Sequence, residues 1–233
     1  MTEQSTQQQT VPWSEKDLWW GTGLFFLWLA AAVNFVLLQE VYSWQVDLGL
    51  FVAVWELALV FPAWFFAVRK YSLSWKSLGL RKFDLETVAI GCGLMLLSFG
   101  FNLTYNLILL FFDLQPGVDA VALFEEASSP WPLLLGGVVI APFVEELFFR
   151  GFIFAGLQER MGWLRAGLIS SLLFAIAHLN LLTLPPILIL GLLFAYLYHR
   201  TRSIWPAVIM HVLTNGLALG AALLISRLGI SVG

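Results

Sequence analysis

Apolar residues in this 233-residue chain run together in long stretches, separated by short polar links. They do not alternate with polar residues at strand spacing, so a transmembrane β-barrel is not indicated. Seven stretches stand out, at 18–38, 48–68, 88–112, 131–157, 164–182, 185–199 and 203–226. Most approach the ~20 residues that an α-helix needs to cross a bilayer. The pattern predicts an all-α fold: a polytopic transmembrane helix bundle of about seven spans. The sixth stretch is short and opens on Pro185-Pro186, which suits a first helical turn. A tilted or half-buried helix is expected there. The junction between the fifth and sixth is so brief that these two helices must be antiparallel neighbours. No internal repeat or soluble domain is evident.

Composition agrees with that environment. Hydrophobic residues make up 60% of the chain and charged ones 12%, with a mean hydropathy of +0.85. A soluble domain is roughly half apolar. The domain division expected is a disordered polar tail over 1–17, rich in Gln, Thr and Ser, followed by a single transmembrane domain over 18–233. The tail lacks the basic start and small-residue cleavage site of a secretory signal, so the first helix is expected to be a retained anchor. The lone Cys92 excludes an intramolecular disulfide.

Charge changes the picture through its placement, since the net value is only −3 and points to no nucleic-acid partner. Arg69, Lys70, Lys76, Arg81 and Lys82 lie between spans two and three. Arg160, Arg165, Arg200 and Arg202 follow spans four and six. Seven crossings put all of these, with Lys16, on one face. Glu40, Asp47, Asp113, Asp119, Glu125 and Glu126 fall on the other. The positive-inside rule then makes the amino terminus cytoplasmic and the carboxyl terminus external. The link "DLQPGVDAVALFEEASSP" turns amphipathic after its turn residues, and an interfacial helix is expected in it.

Few strongly polar groups remain inside the spans: Glu56, Glu145, Glu146, Arg150, His178, His211 and Asn215. A charge at membrane depth costs ~2.5–3.5 kcal/mol on insertion scales, so each is a candidate for function, or for glue between helices. Glu146 precedes Arg150 by four residues, the favourable order for an ion pair on one helical face. That pair is assigned to structure. Glu145 points ~100° away around the axis and meets only Phe148 and Phe149 one turn on. It needs a partner on another helix, a water or a proton. Phe174 and His178 share a face of the fifth span, and His211 and Asn215 a face of the seventh. Counting at ~1.5 Å per residue brings Glu145, His178 and Asn215 to middle depths, with His211 nearer the cytoplasm. On these residues alone, catalysis or metal binding leads, packing follows closely, and proton relay is third. Glu56 is expected to be protonated or bonded to another helix, and Asn102 and Asn106 to join helices.

"EELFFR", "FAIAH" and "HVLTN", in that order on three apolar spans, resemble the E-E-x-x-x-R, F-x-x-x-H and H-x-x-x-N motifs of the CPBP family. This is the ABI or CAAX-protease family of intramembrane endopeptidases, which includes the eukaryotic type II CAAX prenyl endopeptidase. The resemblance covers roughly residues 70–226. It implies that Glu145 and His178 activate a water, that His211 and Asn215 stabilise the oxyanion, and that Glu146, Arg150 and Phe174 support them. It implies an endopeptidase acting on a membrane-associated or prenyl-like peptide. The metal-free glutamate form is favoured, because the motifs lack His-Glu-x-x-His spacing. A zinc site of Glu145, His178 and His211 is the alternative. Two other classes stay in view: a non-catalytic membrane immunity or partner protein, and an ion or proton transporter. The short loops point to a prokaryotic plasma membrane, with the bilayer and a membrane-associated peptide or protein as partners.

Overall fold

The computed structural model describes residues 11–44, 46–114 and 120–229, and among these there is no strand. Chain order gives α1 (Glu15–Tyr42), α2 (Gly49–Arg69), α3 (Leu85–Phe111), a short α4 (Ala120–Glu126), α5 (Pro130–Met161), α6 (Trp163–Ala177), α7 (Leu184–Thr201) and α8 (Trp205–Leu228). Among the described residues, all but α4 and α6 are long and apolar enough to cross a membrane. The protein is a multi-pass helical bundle. The short member is the fifth apolar stretch, where α6 has 15 residues, and not the sixth, where α7 has 18. The reason is a turn after Ala177, described below. α6 and α7 pack as the expected antiparallel pair.

α5 is the central post. Of its most apolar window 44% is buried inside the bundle, against 11% for α1 and for α3. Glu146 through Gly156 are buried on every side, as in a helix enclosed by protein. α5 is also irregular. Wide π-helical turns at Leu135–Ile140 and Leu147–Phe154 flank an ordinary α stretch, Ala141–Glu146. Pro142 supplies one cause: it has no N–H, and its ring crowds the carbonyl four residues back, Val138, inside the first wide turn. Single π turns of this kind recur at functional sites.

The basic links meet at one end of the bundle. Ser14 caps α1 in a reciprocal box with Asp17. Buried Asp17 then accepts from Lys70 Nζ and from the Tyr71 hydroxyl, both at 2.6 Å. That hydrogen bond from Lys70 holds its ammonium above the ordinary lysine value. Arg202 pairs with Glu159 at 2.8 Å, and Ser203 donates to the Arg81 carbonyl at 2.8 Å. Of the expected tail 1–17, residues 1–10 lie outside the described residues. The next few are anchored: Trp13 is buried, donates to the Phe152 carbonyl at 3.3 Å, and its own carbonyl accepts from Arg160 at 2.6 Å.

Within the link expected to hold an interfacial helix, residues 115–119, Asp119 among them, lie outside the described residues. α4 follows and packs on α8 through buried Phe124. Asn102 and Asn106 do not join helices as expected. The Asn106 amide donates to the carbonyl and the side-chain oxygen of Asn102, both at 2.8 Å, because their four-residue spacing lets them satisfy each other along α3.

Candidate active site

The polar residues singled out in the sequence come from α5, α8 and the end of α6. Glu146 and Arg150 form the expected ion pair, 3.0 Å from Nη1 to Oε1, with both side chains fully buried. The sequence did not disclose their other partners. Arg150 Nη2 donates to the Gly191 carbonyl of α7 at 3.0 Å, and its guanidinium lies 4.5 Å over the Phe174 ring and 5.3 Å from that of Phe194. Gly191 has a steric reason to be glycine: a Cβ there would stand 2.9 Å from Ser171 Cβ and 3.2 Å from Arg150 Nη2. Sealing a charge pair in this way needs further partners, and the Gly191 carbonyl supplies a hydrogen bond and the two rings cation–π contacts.

His211 sits between the two glutamates. Its Nδ1 is 3.1 Å from Glu146 Oε1, and its Nε2 is 3.6 Å from Glu145 Oε2. Since a carboxylate can only accept, Nδ1 donates, and a neutral ring then presents Nε2 as an acceptor. Phe194 stacks on the imidazole at 5.0 Å and Phe174 meets it edge-on at 5.7 Å. Glu146 is thus shared by Arg150 and His211, one partner more than the four-residue spacing indicated.

Glu145 differs. Its side chain is 15% exposed where that of Glu146 is 0% exposed, and it makes no direct hydrogen bond among the described residues. His178 stands where α6 ends. Its Nδ1 donates to the Phe174 carbonyl at 2.9 Å, which leaves Nε2 as a free acceptor. The Phe174 ring lies edge-on to both imidazoles, 5.1 Å from His178 and 5.7 Å from His211, and so spaces them. The Asn215 amide donates to the Gly137 carbonyl at 2.8 Å and keeps a second N–H.

The turn after His178 is unusual at membrane depth. Leu179 adopts a left-handed conformation, and Asn180 accepts from the N–H groups of Leu182 and Thr183 at 2.9 and 3.4 Å. Bared backbone can lie at that depth only if it is satisfied or lines a wet cavity. Asn180 was missed in the sequence, although an Asn ahead of Pro185-Pro186 is a turn signal.

Zinc would need three donors converging at about 2.0–2.2 Å, with an open fourth position. Among the described residues no three His, Cys, Asp or Glu side chains are grouped to hold one ion.

The fold and site define a multi-pass membrane protein with a buried glutamate–histidine centre on its central helix. Residues 127–217 match the family model of the type II CAAX prenyl endopeptidase Rce1-like proteins. The chain is 37% identical over 83 residues to the putative membrane peptidase YdiL of Bacillus subtilis (36% of this chain, 34% of that protein). It is 32% identical over 84 residues to the membrane-embedded CAAX protease MroQ of Staphylococcus aureus (34% of each). The matched stretch thus spans about a third of each curated relative. No solved structure matches significantly. The segment matched by the family model carries all three motifs, and with them the site, and is similar to these membrane peptidases. Two bacterial relatives and the apolar helices agree with a multi-pass protein of a prokaryotic plasma membrane.

Proposed function

We propose that this protein is a membrane-embedded endopeptidase in which Glu145 and His178 activate a water. The observation that carries this reading is the contrast on α5: Glu145 is reachable and unbonded beside a sealed Glu146–Arg150 pair. A carboxyl left open among helices is expensive unless it is used. Glu145 takes a proton from the water, and His178 Nε2 orients that water against the substrate carbonyl. The C–N bond then breaks as Glu145 returns the proton to the leaving amine. The free N–H of Asn215 supports the oxyanion. His211 adds a second donor when its Nε2 also carries a proton. Glu146, Arg150 and Phe174 hold these groups in register. The substrate class is a membrane-associated peptide or protein, prenylated or not, approached from the cytoplasmic side. No metal takes part in the steps derived.

The test is hydrolysis of membrane-associated peptides by detergent-purified protein, with Glu145→Ala, His178→Ala and a chelator-treated sample beside the wild type. Both substitutions should lower turnover by at least about 10²-fold with the thermal transition retained, and chelation should do little. Undiminished turnover in Glu145→Ala removes that residue from the mechanism. Loss with chelator and rescue by zinc reverses the metal-free reading.

A further inference from the structure

Glu56 is a buried carboxyl that the mechanism above leaves unused. Its Oε2 is sealed and has no hydrogen-bond partner. It ends the regular α-helical part of α2, which continues as a tight turn over Leu57–Leu59. Both parts pack on the stretch Ala141–Glu146 of α5.

The register between α2 and α5 is close. Gly49 lies against Leu133, and a Cβ on Gly136 would stand 3.1 Å from that of Ala53. The two helices therefore run in parallel, and Glu56 falls level with residues 139–140. Glu145 lies further along α5, in the stretch Ala141–Glu146 on which both parts of α2 pack. The two carboxyls interact electrostatically. The ionisable groups of the α5 stretch that packs against this part of α2 are Glu145 and Glu146, and Arg150 and His211 contact those two in turn. α1 contributes the Trp28 indole, which donates to the Trp55 carbonyl at 3.0 Å.

Arg150 is one cation, and Glu146 already holds it. Two adjacent carboxylates with no cation of their own are too costly in a dry interior to stay fully ionised. We propose that Glu56 is a positioning residue for Glu145: the two carboxyls share one proton through a bridging water. Glu56 keeps that proton and donates it to the bridging water, which donates in turn to Glu145, so Glu145 stays ionised and aimed while it takes the proton of the attacking water and passes it to the amine. The proton on Glu56 is neither gained nor lost in the cycle. This deepens the peptidase reading, and its kinetic part rests on that reading.

The test is infrared difference spectroscopy of the carboxylic C=O band through a pH titration of the full chain in lipid nanodiscs, with pH–rate profiles measured in parallel. In the wild type the band should titrate as a coupled pair. Glu56→Gln and Glu145→Gln should each reduce it to one independent ionisation, and Glu56→Asp, which keeps the acid, should retain the coupling. Glu56→Gln should lower turnover about tenfold. It should also abolish the alkaline limb of kcat/KM that arises when the shared proton is lost and two carboxylates face the developing oxyanion. The proposal is overturned if each variant deletes its own band and leaves the other titration unchanged, or if the Glu56→Gln profile keeps the wild-type shape. If the wild type cleaves no peptide, the peptidase reading fails, and the titration still decides the pair.

Discussion

Glu145 and Glu146 are neighbours on one helix and inhabit opposite environments. Glu146 is sealed, paired with Arg150 and bonded to His211; Glu145 is partly open and makes no direct hydrogen bond. A rotation of ~100° between consecutive residues is enough to separate a sealed carboxylate from an open one. The difference shows how one short motif can hold its own helix rotation and leave a second carboxyl unsealed at once. The cost of burying the first acid is offset by a cation, a carbonyl and two aromatic faces, all within the bundle.

That contrast can be broken from the sealed side. Arg150→Met leaves Glu146 buried without its cation, which costs about 3–5 kcal/mol. The thermal transition in detergent should fall sharply and activity should go with it. Arg150→Met combined with Glu146→Leu should recover much of the stability and none of the activity, because His211 loses the acceptor of its Nδ1 proton. Equal stability of single and double variants would show that Glu146 is not held by Arg150.

The open side gives the next effect. Asn215→Ala removes one candidate oxyanion donor and should lower kcat by about 10²–10³-fold with KM little changed. A change confined to KM would assign Asn215 to substrate binding, or to its bond with the Gly137 carbonyl. The smallest effect sharpens the boundary between the two sides. Gly191→Ala pushes a methyl toward Ser171 and Arg150, and overpacking of that kind costs about 1–3 kcal/mol. It should lower the melting temperature and leave the pH–rate profile of the remaining enzyme in place. A shifted profile would mean that the sealed pair also tunes Glu145.

Much of this was legible in the sequence because membrane burial makes rare polar residues conspicuous. The long apolar stretches fixed the helical class, and the i,i+4 spacing fixed the Glu146–Arg150 pair. The seating of His211 between both glutamates was not legible, since it depends on how α8 rotates against α5. Gly191 and Phe194 carried no signal, because a backbone carbonyl and a ring face look like ordinary packing in an apolar run. The early end of α6 was hidden by Leu179 to Leu182, which read as continued helix until Asn180 is seen to cap the turn.

The abbreviated α6 bears on the lipid around it. Fifteen residues rise ~22 Å, against a hydrocarbon core of ~30 Å. Acyl chains beside His178 must bend inward to meet that shortened wall, which draws headgroups and solvent toward the depth of that imidazole. Thin bilayers accommodate such a dip at little cost and thick ones resist it, so turnover in reconstituted vesicles should decline as the lipid tails lengthen.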